Sequence, residues 1–130
     1  MIVLDASVLI AYLDGADAHH HAAEAMLEAA LDEEIGVNSL TLAEVLVVPA
    51  RDGRIDQVRD ILADLDVREL PFPRDTAAQL ATLRARTGLK MPDCCVLLAA
   101  QTHSGAIASF DDRLLAAAQE HGLPLHRHKR

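Results

Sequence analysis

The first thirteen residues, Met1 to Leu13, are apolar apart from Ser7 and one charged side chain, Asp5. Ile2, Val3 and Leu4 are strand formers in an uninterrupted apolar run, the pattern of a parallel strand covered by helices on both faces. A carboxylate placed directly after such a strand sits where open α/β sheets hold their ligands, beyond the carboxyl ends of the strands. Left ionised in an apolar setting it costs several kcal/mol unless a cation or hydrogen bonds compensate it. Asp5 therefore constrains both the fold and what must gather around it, although capping of a following helix would also explain it.

The remaining sequence alternates in the way such a sheet requires. Ser7–Leu13 is expected to form a short helix closed by Asp14-Gly15, with the glycine taking a left-handed turn. A second helix follows Asp17 as its N-cap, with Ala22, Ala23, Met26, Leu27, Ala30 and Leu31 on one face. Ile35–Asn38 reads as a strand, Thr41–Ala50 as a helix with Leu42, Val45, Leu46 and Val48 inward, and Arg54–Leu65 as a helix carrying a regular apolar stripe. Val67–Leu70 is a third strand cut off by Pro71 and Pro73, and Asp75–Thr87 a helix stopped at Gly88. Pro92–His103 is a helix capped by Gly105, Ala106–Phe110 a fourth strand, Asp112–His121 a last helix, and Leu123–His126 a short fifth strand. No repeat or linker interrupts this order. The expected architecture is α/β, a three-layer α/β/α sandwich with a mostly parallel central sheet, as one domain over residues 1–130.

Composition narrows the function. The chain of 130 residues can bury roughly two-thirds of its unfolded surface, so a core forms without staples. Its 12 basic and 20 acidic residues give a net charge of −8, which opposes non-specific attraction to nucleic acid, so any contact with RNA must be local. Tyr12, Phe72 and Phe110 are the only aromatic residues, too few for a base-stacking surface. Cys94 and Cys95 are adjacent, which suits reduced core residues and not a redox or metal motif. With neither a signal peptide nor an apolar run of membrane-spanning length, the expectation is a soluble, cytoplasmic protein.

Three further carboxylates fall at comparable positions. Glu44 follows Thr41 by three residues, which fits a capping box, yet it also lies on an apolar helix where Ala43, Val45 and Leu46 are expected to leave it little solvated surface. Asp93 follows Pro92 in a helix's first turn, where the dipole favours an acid. Asp111 follows the fourth strand and is also a plausible N-cap, with Asp112 beside it; Asp111 is preferred because it stands nearer the strand end. Four carboxylates at strand ends and helix starts are more economically read as an oxygen cage than as four separate caps. Hard cations such as Mg²⁺ or Mn²⁺ take such ligands, and can polarise a phosphodiester and activate a water. His19, His20 and His21 invite a transition-metal reading, but successive residues at a helix start diverge, so a solvated surface is expected. The basic end H-R-H-K-R reads as a charged tail, and Arg51, Arg54, Arg84, Arg86, Lys90 and Arg113 are scattered in sequence. There is no Walker motif or G-x-G-x-x-G, and a haloacid-dehalogenase-type phosphatase would need an acid where Ser7 stands.

Asp5 in I-V-L-D-A-S, Glu44 in N-S-L-T-L-A-E-V-L, Asp93 in M-P-D-C-C-V-L-L-A-A and Asp111 in A-S-F-D-D-R-L resemble, in order and across nearly the whole chain, the four acidic motifs of the PIN-domain family. Length and spacing are most similar to the VapC-like ribonuclease toxins of toxin-antitoxin modules. The resemblance implies a three-layer fold and a Mg²⁺- or Mn²⁺-dependent endoribonuclease that cuts transfer or ribosomal RNA by in-line attack of a metal-activated water. It also implies a homodimer and an antitoxin that blocks the site. Asp5, Glu44, Asp93 and Asp111 would hold the metal, with Ser7 and Ser109 at positions where the family commonly has a hydroxyl, and Asp112 as an extra acid. The rival expectations are a non-catalytic PIN-fold module binding a protein or RNA, and a small-molecule phosphohydrolase using the same ion.

Overall fold

The computed structural model describes residues 1–126; the basic stretch at 127–130 lies outside the described residues. The elements are β1 (Ile2–Leu4), α1 (Ala6–Leu13), α2 (His20–Ala29), β2 (Ile35–Asn38), α3 (Ser39–Arg51), α4 (Ile55–Asp64), β3 (Val67–Leu70), α5 (Thr76–Thr87), α6 (Met91–His103), β4 (Ala106–Ala108) and α7 (Asp112–Glu120).

The strands form one all-parallel sheet in the order β3-β2-β1-β4. The chain winds outward from β1 through β2 to β3, then crosses back so that β4 lies on the other side of β1, with Ile2, Val3 and Leu4 opposite Ala106, Ile107 and Ala108. The direction of winding therefore reverses between β1 and β4, and that is where α/β sheets open a crevice at their carboxyl edge.

Side chains alternate across the sheet and so divide the core. Ile2 and Leu4 of β1, with Ile35, Val37 and Ala108, pack against apolar residues of α1, α2, α3 and α4. Val3 and Ile107 point to the opposite face and join Leu83, Leu89, Val96, Leu97, Leu98 and Leu114 from the segment carrying α5, α6 and α7. The result is a three-layer α/β/α sandwich. All of Cys94 to Ala100 is buried, so α6 is apolar on every side and forms the centre of one layer.

Two close approaches depend on glycine. A Cβ on Gly36 of β2 would lie 2.6 Å from Cδ1 of Leu70, whose buried side chain occupies that space. A Cβ on Gly105 would meet Val3 Cγ2 at 2.9 Å and the Met1 carbonyl at 3.1 Å. Gly105 is thus required by packing against β1, and the left-handed cap of α6 is Ser104 instead, at φ 52°.

Other departures from the sequence expectation are local. Gly15 does not take the left-handed turn; α1 ends at Asp14 in an extended conformation. Helix α2 starts later than expected because Asp17 uses its carboxylate on the His19 amide, 2.8 Å away, leaving His19 as the N-cap. Leu31 and Val48 are exposed, and Ala22 with them, so the stripes on α2 and α3 are narrower than the residue types suggest. The fourth strand stops at Ala108, two residues short, because Ser109 and Phe110 turn into the loop above β1. The fifth strand is reduced to a single parallel bridge between Ile107 and Leu125.

Candidate functional site

Asp5 leaves β1 at its carboxyl edge and is 8% exposed. Its backbone extends the ladder, the amide donating to the Ala108 carbonyl at 3.0 Å. The residue stands at the N-cap of α1, yet its carboxylate makes no capping bond. Two hydroxyls use it instead: Ser7 Oγ donates to Oδ2 at 2.8 Å and Ser109 Oγ donates to the same oxygen at 2.7 Å. Helix capping therefore does not account for Asp5.

The two serines are themselves fixed by the loop after β4. The Phe110 amide donates to Ser7 Oγ at 3.0 Å, and the Asp111 amide to Ser109 Oγ at 2.9 Å. Each hydroxyl thus accepts from backbone while donating to Asp5, which sets the direction of both O–H bonds. Ser109 is buried, and the hydroxyl that the motif comparison brought forward is here a positioning group for the carboxylate.

Asp111 begins α7. Its Oδ1 accepts from the Arg113 and Leu114 amides, at 3.0 and 3.3 Å, so the capping role is real. Among the described residues Oδ2 accepts no hydrogen bond, so half-buried Asp111 is able to cap and to ligate at once. Asp112 is exposed on the outer side of the same turn.

Asp93 occupies the first turn of α6. Its carboxyl is held above the usual carboxylate range first by burial and then by the negative charges of Asp111, Asp5 and Glu44, with Lys90 opposing them. One residue therefore feels all three of the other acids, which come from β1, α3 and the loop after β4. Crowded carboxylates of one sign disfavour ionisation in exactly this direction.

Glu44 reaches the group by a different local route from the one its sequence context suggests. The N-cap of α3 is Asn38, whose buried side chain accepts from the Thr41 amide at 2.9 Å while its amide nitrogen donates to Thr41 Oγ at 2.9 Å. Thr41 is thus the recipient of a cap and not its donor, and Glu44, a turn further on, closes no capping box. It is also exposed, contrary to the expectation of little solvated surface. Its charge still acts inward: the Cys95 thiol is pushed up to about 11, mainly by burial, with Cys94 and then Glu44 adding to it. Both cysteines are buried and free, as a core role requires.

Of the basic residues, Lys90 is the one whose charge acts on Asp93. Arg84 is committed to the Leu89 carbonyl at 2.6 Å, and Arg54 pairs with Asp52.

At the start of α2 the structure departs in part from the solvated histidine surface expected there. His19 stacks on Phe110, with ring centroids 4.6 Å apart and planes 13° from parallel, beside the loop that holds Ser7 and Ser109. His20 and His21 converge on Glu24 and do not simply diverge into solvent. The stack on Phe110 depends on where the α1–α2 turn folds and no motif marks it, whereas the contacts with Glu24 follow helix spacing.

An all-oxygen set of carboxylates whose charges act together on Asp93, with one opposing lysine, suits a hard divalent cation, which would relieve that repulsion. It does not suit a soft-metal or redox centre.

Comparison with known proteins agrees with this geometry. A toxin-antitoxin complex from Klebsiella pneumoniae superposes with a TM-score of 0.73 at 23% identity, covering 89% of this chain and 91% of that one. VapC20 of Mycobacterium tuberculosis, described as a toxin that cleaves the sarcin-ricin loop, gives 0.74 at 19%, covering 90% and 95%. FitAcB from Neisseria gonorrhoeae gives 0.72 at 23%, covering 92% and 94%. At these identities the likeness establishes the fold. No curated protein matches in sequence. The family model described as PIN domain matches residues 2–124, almost the full length, a span within which the four carboxylates lie, and the chain belongs to that family.

Proposed function

We propose that the chain is a single-domain, metal-dependent endoribonuclease over residues 1–130, a VapC-like toxin. Its RNA substrate is of the transfer or ribosomal class, its activity is held off by a cognate antitoxin, and it acts as a cytoplasmic homodimer. The observation that carries the reading is the shared electrostatics of Asp93, whose carboxyl is raised by Asp111, Asp5 and Glu44 together. Membership of the PIN family and the toxin-antitoxin complexes among the structural neighbours support it. Among the described residues no helix is long and apolar enough to cross a membrane.

Asp5, Glu44, Asp93 and Asp111 would hold Mg²⁺ or Mn²⁺, which when bound neutralises a phosphodiester oxygen and lowers the pKa of a water. The chain's own contribution is positional. Ser7 and Ser109 occupy Oδ2 of Asp5, so Oδ1 would be the oxygen offered to the ion. Asp111 spends one oxygen on α7 and leaves the second for the site. Lys90, near Asp93, is the cation placed to meet an incoming phosphate.

Purified protein incubated with total cellular RNA and Mg²⁺ or Mn²⁺ is expected to yield discrete fragments, absent with EDTA and reduced by about 10²-fold or more in Asp93→Asn, the scale of losing one preorganised charge contact. Folded, inhibitor-free protein that cuts no RNA would instead support a binding module, and turnover of a small phosphomonoester would support a phosphohydrolase.

A further inference from the structure

We propose that His20, His21 and Glu24 at the start of α2 form a binding site for a borderline transition-metal dication, Zn²⁺ or a close analogue, separate from the carboxylate crevice. The three offer one ligand atom each, all within 4.8 Å of one another. His20 Nε2 and His21 Nδ1 each lie 3.2 Å from the same oxygen, Glu24 Oε1. Helix spacing explains the choice of nitrogen: His20, four residues from Glu24, reaches with its far nitrogen, and His21, three residues away, with its near one.

The second observation concerns protons. His20 Nδ1 lies 2.8 Å from the Ala11 carbonyl in the last turn of α1. A carbonyl only accepts, so Nδ1 carries the hydrogen, and in the neutral ring Nε2 presents a lone pair toward Glu24. His20 Nε2 and Glu24 Oε1 then face each other as acceptors with no hydrogen between them, His21 Nδ1 stands on the same oxygen in whichever tautomer it adopts, and among the described residues Glu24 pairs with no lysine or arginine. A dication resolves that conflict. Holding a ligand imidazole by its other nitrogen on a backbone carbonyl is also how metal-binding histidines are oriented.

Geometry and donor type select the ion. Ligand atoms about 2.0–2.1 Å from a tetrahedral ion stand about 3.3 Å apart, close to the two separations seen, and two imidazoles with one carboxylate suit zinc, nickel or copper far better than magnesium. The side chain of His20 is 21% exposed and anchored, whereas that of His21 is 97% exposed and free to swing onto the ion, leaving a fourth position for water. Occupancy ties the first turn of α2 to the last of α1.

The test is Zn²⁺ titration of the full chain by calorimetry in millimolar Mg²⁺, which keeps the carboxylate crevice filled, with Co²⁺ absorption to report tetrahedral nitrogen ligation. One Zn²⁺ per chain is expected, weakened about tenfold or more in both His21→Ala and Glu24→Gln. Those two side chains are exposed or half-buried, so both variants fold, and unchanged thermal unfolding without metal checks it. Absence of Zn²⁺ binding, or binding insensitive to both variants, would overturn the site and leave an imidazolium–carboxylate hydrogen bond in its place.

Discussion

Asp5 shows what a single buried charge can disclose. Its place after an apolar strand was readable from the sequence because burial of an unpaired carboxylate is costly, and its two hydroxyl partners are the compensation. Ser109, more than a hundred residues away, was legible only through family resemblance, since no local pattern links it to Asp5. Ser109→Ala removes a donor to Asp5 and an acceptor for the Asp111 amide; it is expected to cost about 1–3 kcal/mol in stability and to lower Mg²⁺ or Mn²⁺ affinity about 10–100-fold, read from the metal dependence of cleavage and from urea unfolding. Asp93 carries a pH signature. Because its carboxyl is raised in the fold, the folded state holds that proton more tightly than the unfolded chain does. Metal-free stability therefore falls as pH rises from the ordinary carboxylate value through the raised one, and the penalty is absent below both. In EDTA, Asp93→Asn is expected to melt above the parent at pH 7, with the gap closing under acid; equal melting across that range would contradict the crowding.

At the scale of elements, α3 is the instructive case. T-L-A-E is a sound local capping signal, but Asn38, the last residue of β2, is buried at the strand end and captures the Thr41 amide first. Which cap wins depends on where the strand delivers the chain, and four-residue patterns do not contain that. Asn38→Ala is expected to cost about 1–2 kcal/mol in denaturant unfolding, whereas Glu44→Gln, which holds no cap, is expected to leave stability nearly unchanged and to diminish metal-dependent cleavage. Helices α4, α5 and α7 were legible almost to the residue because apolar spacing and glycine stops act locally. The α1–α2 junction was not, because Asp14 and Asp17 turn the chain by bonding amides two residues on and His20 then anchors on the Ala11 carbonyl of α1.

For the whole molecule, the parallel sheet was implied by the alternation of strands and helices, but its order was not: nothing in Ala106–Ala108 announces that it pairs with β1 on the side away from β2. Gly36 records one consequence of the packing that follows. Gly36→Ala must displace the buried side chain of Leu70 on the neighbouring strand β3 and is expected to cost about 1–3 kcal/mol, measured by urea midpoint. Under the proposed function Mg²⁺ or Mn²⁺ should stabilise the entire fold, since only the folded chain offers the carboxylate site; at a hundred times the dissociation constant the gain is about 2.7 kcal/mol, seen as a rise in melting temperature that Asp93→Asn blunts.

The placement of β4 beside β1 has a bearing on synthesis. Asp5 leaves a ribosome more than a hundred residues before Ser109 and Asp111, which orient and complete its surroundings. A nascent chain that has emerged only as far as α6 contains three of the four acids but lacks the loop that fixes Ser7 and Asp5. If the crevice cuts RNA, the ribosome translating this message is protected from its own product until the loop after β4 is out.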